Sequence, residues 1–172
     1  ILFSGDVGRW NVPILRDPTI FAAADYVLVE STYGNRLHEG SSEVANHLAQ
    51  AVNSTLNVGG NIVVPGFALE RAQAVLYHMN GLLIDGRIPR LIVFLDSPMA
   101  VRVTEVFKHY PDLYDQEMSR LIRINKSPFD LPGLKMVSTT DESKAINYVK
   151  GGAMVIAGAG MGTGGRIKHH LV

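Results

Sequence analysis

Three stretches carry residues whose types and spacing could do chemistry. The first is Glu30-Ser31-Thr32-Tyr33-Gly34-Asn35-Arg36, which directly follows the apolar run Asp25-Tyr26-Val27-Leu28-Val29. A carboxylate at a strand end can orient a partner side chain or bind a metal, and an open α/β sheet keeps its chemistry at that edge. The second is Asp6, which ends the run Ile1-Leu2-Phe3-Ser4-Gly5 in the same way. The third is Gly158-Ala159-Gly160-Met161-Gly162-Thr163-Gly164-Gly165-Arg166. Glycines let backbone N–H groups approach an anion, a following helix start favours negative charge, and Arg166 could add a bidentate phosphate contact. Each stretch also has a plainer reading. Glu30 can be an incidental turn residue, Asp6 can close an Asx-turn on its own backbone, and the glycines can form a simple turn.

The elements that must position these residues alternate between strand and helix. Asp25 to Val29 reads as a strand buried on both faces. Ser41-Ser42-Glu43 reads as a helix start, with Val44, Leu48, Ala51, Val52 and Leu56 as its apolar stripe and Gly59-Gly60 as its stop. Strands are expected at Asn61–Pro65, Leu91–Leu95, Leu134–Ser138 and Ala153–Ala157. Helices are expected at Leu69–Met79, Val101–Tyr110, Tyr114–Ile124 and from Thr140 through Val149. This alternation predicts an α/β fold with a parallel sheet and helices on both faces.

Composition bounds the function. The chain has 172 residues, of which 47% are hydrophobic and 19% charged, as in an ordinary globular domain. Formal net charge is zero, so no global basic field draws nucleic acid and any anion site must be local. There is no cysteine, which excludes disulfides and thiolate metal sites. No apolar run reaches the roughly 18 residues of a membrane span. The Gly-x-Ser-x-Gly elbow and the H-E-x-x-H zinc motif are absent. Gly160 to Gly165 matches G-x-G-x-x-G, but that fingerprint should open its fold, whereas here it follows the last expected strand, so it is weak as a dinucleotide motif. His169 and His170 are adjacent, so on a helix they diverge and suit one metal poorly.

Five segments in order resemble the β-CASP branch of the metallo-β-lactamase superfamily. They are Ser4-Gly5-Asp6, Glu30 to Gly34, Val64-Pro65-Gly66-Phe67-Ala68-Leu69-Glu70-Arg71-Ala72-Gln73, Leu95-Asp96-Ser97-Pro98-Met99-Ala100, and Gly160-Met161 with Gly164-Gly165-Arg166. The RNA-processing members are the nearest match. The resemblance implies a zinc-dependent nuclease that hydrolyses RNA phosphodiester bonds with two zinc ions. It implies Asp6 as the catalytic carboxylate that binds both zinc ions, and Glu30 as a catalytic carboxylate close to the metal centre and linked to a histidine. Arg71, Ser97, Gly160, Gly162, Thr163, Gly164 and Arg166 would line the RNA cleft.

The resemblance also divides the chain. Residues 1–37 would be the end of a metallo-β-lactamase domain and its junction, and residues 38–172 a truncated β-CASP domain. The family's H-x-H-x-D-H motif and later histidines do not occur, so a fragment that is inactive alone is expected. Ala159 stands where serine is usual, and Gly66 where a larger residue is usual. RNA is the implied partner, with no membrane, a cytoplasmic location, and a homodimer as an option. Two other classes fit the same residues: a nucleotide-binding α/β domain, and a non-catalytic RNA-binding or scaffolding member.

Overall fold

The computed structural model describes residues 1–6, 8–37 and 43–171. The chain opens with a short parallel pair, β1 (Leu2–Phe3) and β2 (Val27–Leu28), with Phe3 opposite Leu28. The fold proper follows: α1 (Val44–Asn57), β3 (Ile62–Pro65), α2 (Arg71–Ile84), β4 (Ile92–Asp96), α3 (Pro98–His109), α4 (Gln116–Arg123), β5 (Leu134–Met136), α5 (Thr140–Ile146), β6 (Ala153–Ala157) and α6 (Ile167–His170). The four long-range strands form one sheet in the order β3-β6-β4-β5, and every pairing in it is parallel. The expected α/β fold with a parallel sheet is therefore the observed one.

The last strand in sequence lies inside the sheet, and its residues explain why. Ala153 to Ala157 are all buried. Side chains alternate across a strand, so an apolar run without polar interruptions suits a position covered on both faces. Met154 and Ile156 join the larger core, with Val52 of α1, Leu76 and Met79 of α2, Ala100 of α3 and Met118 of α4. Val155 and Ala157 face the other way, onto Ile146 of α5 and Ile167 of α6. Helices thus cover both faces of the sheet. Burying a side chain such as Leu76 contributes about 1.5–3 kcal/mol.

Local chemistry fixes the boundaries. Gly59 adopts φ 72°, and the amides of Gly59 and Gly60 donate to Leu56 and Thr55, closing α1. Pro98 occupies the first turn of α3, where its missing N–H costs nothing, and Ser97 caps the helix. Thr139 and Glu142 form a reciprocal capping box on α5. The expected helix start at Ser41-Ser42 lies outside the described residues.

One expectation is corrected. Asp25 to Val29 was expected to be a strand buried on both faces. Only Val27 and Leu28 are in the strand, and Tyr26, Val27, Leu28 and Val29 are each more than half exposed. An apolar run reports affinity for cover, and no described element packs over this pair. Among the described residues before α1, Ile14 to Arg16 pack onto the rest of the fold. Ile14 is buried, and its amide donates to Asp115 Oδ2 (3.0 Å) while its carbonyl accepts from the Asp115 amide (2.9 Å). The Arg16 guanidinium reaches the carbonyl of Asp112.

Candidate functional site

The carboxyl edge of the four-stranded sheet gathers three of the segments singled out above. β3 leads through Gly66 to Glu70 into α2, which packs in the larger core. Its neighbour β6 leads through the glycine loop into α6, which packs in the smaller one. Adjacent parallel strands whose following segments part to opposite faces leave a crevice between them, the usual binding place in open α/β sheets. The Gly66 amide still donates to the Ala157 carbonyl (3.0 Å), so the two loops separate just beyond the last ladder bond.

The glycine loop folds back on itself. Ala159 N–H donates to the Gly164 carbonyl, Gly162 N–H to that of Ala159, and Ile167 N–H to that of Gly158, at 3.1, 3.0 and 2.9 Å. Gly165 has φ 73°, and a Cβ there would stand 2.6 Å from the Gly158 carbonyl oxygen. Only glycine closes this turn without displacing backbone. Thr163 and Met161 are exposed at its tip, and Gly160, Gly162 and Gly164 are half-buried. The helix it enters has four residues, Ile167–His170, too few to supply the strong dipole considered from the sequence.

Ser97 lies beside this loop: its Oγ would be 3.8 Å from a Cβ built on Gly158. That Oγ accepts from the Ala100 amide at 3.2 Å and so serves α3 as a cap. Arg71 is the first residue of α2 and is exposed. The preceding residue, Glu70, is held at φ 63°, a conformation uncommon for a side-chain-bearing residue.

Arg166 does not point out of the loop toward solvent. Its Nη1 is 2.6 Å from Asp96 Oδ1, and its Nη2 donates to the Ser138 carbonyl at 2.9 Å. Asp96 ends β4, is fully buried, and also accepts at Oδ2 from Ser143 Oγ (2.5 Å) and His170 Nε2 (2.7 Å). An unpaired buried carboxylate is costly, which accounts for the inward turn of the guanidinium. Asp96 and His170 are the residues that reasoning from the sequence missed. The signal available was an acid at the end of an apolar strand, in the same position as Asp6 and Glu30.

Asp6 and Glu30 form a separate pair of positions. The β1–β2 ladder is parallel and continues with Ser4 N–H on the Leu28 carbonyl, so both carboxylates follow the same end of the two strands. Both are exposed. Glu30 Oε2 accepts from Thr32 Oγ1 at 2.6 Å, and the Glu30 amide donates to Ser4 Oγ at 3.2 Å. Among the described residues no three His, Cys, Asp or Glu side chains cluster to hold a metal. A catalytic zinc takes about three protein ligands, so these residues do not by themselves fit a zinc centre. Nor is any helix among the described residues long and apolar enough to cross a membrane.

Comparison with known proteins decides the family. Residues 72–172 match the model of the Beta-Casp domain. The chain belongs to the β-CASP family. Ribonuclease TTHA0252 of Thermus thermophilus is 40% identical to this β-CASP chain over 173 residues, covering 99% of it and 39% of the relative. Probable RNase MJ4 of Methanocaldococcus jannaschii is 33% identical, covering 99% of the chain and 38% of the relative. Endoribonuclease YSH1 of Eremothecium gossypii is 27% identical, covering 94% of the chain and 21% of the relative. The β-CASP chain therefore spans about two fifths or less of the length of these relatives.

Proposed function

We propose that the whole protein is a zinc-dependent RNA-cleaving hydrolase and that the segment from residue 38 onward, as its β-CASP domain, forms one wall of the RNA cleft. Hydrolysis adds water across a phosphodiester: an oxygen–phosphorus bond forms, the bond to the leaving ribose oxygen breaks, and that oxygen takes up a proton. The reading is carried by one observation. The glycine loop, Ser97 and the segment leading to Arg71 meet at the carboxyl edge of the sheet, where this fold type binds ligands. The relatives named ribonuclease and endoribonuclease support RNA as the substrate.

In this reading the N–H groups of Gly160 and Gly164 and the Thr163 hydroxyl face a backbone phosphate, the Gly162 N–H being held by the Ala159 carbonyl, and Arg71 adds exposed positive charge. Residues 1–37 belong to the metal-bearing part of the protein. Asp6 is one zinc ligand among several, the others lying outside the described residues. Zinc, when bound, supplies charge stabilisation at the reacting phosphate. Glu30 supports that centre as an orienting carboxylate. The protein works in the cytoplasm, and residues 1–172 alone cut no RNA.

Glu30→Gln in the full-length protein tests the arrangement. Loss of an orienting carboxylate typically costs about 10–100-fold in activity or metal affinity. The expected result is slower RNA hydrolysis with most zinc retained, measured by elemental analysis. Complete loss of zinc would make Glu30 a ligand, and full activity would reduce it to the turn residue that its bond to Thr32 also allows. Absence of RNA cleavage by the unaltered full-length protein would overturn the reading.

A further inference from the structure

The polar cluster beneath the glycine loop points to a division of labour that the sequence motif conceals. Asp96 is a buried carboxylate with two partners that follow the glycine loop, Arg166 at its exit and His170 at the end of α6. Arg166 Nη1 holds Oδ1 at 2.6 Å and His170 Nε2 holds Oδ2 at 2.7 Å. The His170 side chain is 2% exposed, so this contact is an interior one. Its other nitrogen, Nδ1, lies 2.7 Å from Asn147 Oδ1. The orientation of Asn147 is set independently, because its Nδ2 donates to the His169 carbonyl at 3.0 Å. His170 is thus held at both ring nitrogens, by Asp96 on one side and Asn147 on the other.

Arg166 is also turned inward, with its side chain 22% exposed. Beyond Asp96, its guanidinium donates to the Ser138 carbonyl and, more weakly, to that of Val137. Ser143 on α5 completes the shell around Asp96. One carboxylate at the end of β4 therefore ties down α5, the exit of the glycine loop and the far end of α6. An arginine spending its donors in this way has few left for RNA.

We propose that Asp96 is a positioning residue that fixes the glycine loop by gripping Arg166 and His170, so that Arg166 serves RNA binding through Asp96 without touching phosphate. This rests on the RNA-cleaving reading above. It changes what substitution of Arg166 should do. An arginine on phosphate releases a counterion, and its loss lowers the slope of log affinity against log salt by about one. An arginine that positions a loop weakens binding at every salt concentration and leaves the slope alone.

The test uses the full-length protein, with RNA affinity measured across salt and cleavage resolved into kcat and KM. Arg166→Ala and Asp96→Asn are each expected to raise KM with the salt slope unchanged, at a cost of up to about 100-fold in kcat/KM for a displaced loop. The double variant should be little worse than either single one, because both break the same contact. His170→Gln, which keeps a side-chain N–H for Asp96, should retain more affinity than His170→Ala. A slope reduced by about one in Arg166→Ala, with Asp96→Asn binding normally, would overturn the inference alone. If Asp96→Asn fails to fold, as judged by circular dichroism, the Arg166→Ala slope and the two His170 variants decide. Failure of the unaltered protein to bind RNA would overturn the RNA reading and this inference together.

Discussion

Gly160 lies flat against the ring of Phe67, so that a Cβ at position 160 would stand 2.8 Å from Phe67 Cδ2 and 2.9 Å from Cγ. The loop after β6 and the loop after β3 therefore touch through a contact that has room for a hydrogen and no more. Gly160→Ala should force the ring aside. Overpacking of this kind typically costs about 1–3 kcal/mol. Urea denaturation of the variant is expected to show a lower midpoint, and most of the loss should disappear in the double variant with Phe67→Ala. An unchanged midpoint would mean that the ring, which is 54% exposed, swings into solvent at little cost.

Asp115 performs two tasks at once. Its Oδ1 caps α4 by accepting from the Met118 amide at 2.6 Å, and its Oδ2 accepts from the Ile14 amide at 3.0 Å. Losing a cap alone costs about 0.5–2 kcal/mol. Asp115→Ala should lose at least that and also loosen the first 37 residues. Limited proteolysis is the readout: cleavage between Asp17 and Asp25 should accelerate more than cleavage within the domain. Equal acceleration at both places would show that Ile14 stays docked through its side chain.

The capping box of α5 gives an acid-side signature. The amide and hydroxyl of Thr139, with the Ser138 amide, hold the Glu142 carboxyl below the ordinary glutamate value. The folded value is the lower one, so the contribution is present above the ordinary value and is lost as pH falls through the folded value. Thr139→Ala should cost about 1 kcal/mol near neutrality. The difference from the unaltered protein should shrink in acid below the ordinary glutamate range. A difference constant with pH would detach the carboxyl from the cap.

His78 gives a second signature nearer neutrality. Burial in α2 pushes its imidazole below the ordinary value of about 6.5. The unfolded chain then takes up a proton before the folded one does. Stability should decline as pH falls below about 6.5 and level off once the folded form also titrates. His78→Gln is expected to remove that slope from a pH series of thermal midpoints, and an unchanged slope would assign it to another group.

What the sequence discloses follows from the range of the forces involved. The strands Ile62–Pro65, Ile92–Asp96 and Ala153–Ala157 were legible because each is an apolar run bounded by turn-forming residues, and burial demands just that pattern. Their parallel pairing followed from the intervening helices. The position of the glycine loop at the carboxyl edge of the sheet was legible for the same reason, since glycines and polar residues begin where these strands end. The grip on Asp96 was not. Its partners Ser143, Arg166 and His170 lie 47, 70 and 74 residues further on, and nothing in a local window says that a carboxylate will be interior. The exposure of Val27 and Leu28 was hidden likewise, because a run of apolar residues is written identically whether or not another element covers it.

The position of β6 has a consequence for how the protein is made. β3 and β4 leave the ribosome long before β6, yet they cannot become neighbours, because the strand between them is synthesised after both. Until residues 153–157 emerge, the nascent chain carries two unfilled strand edges and an unclosed core, the features that invite misassociation. Pairings that span most of the chain also form slowly. This fold is therefore most vulnerable between the emergence of β4 and that of β6, and chaperones that shield open β-edges would matter most in that interval.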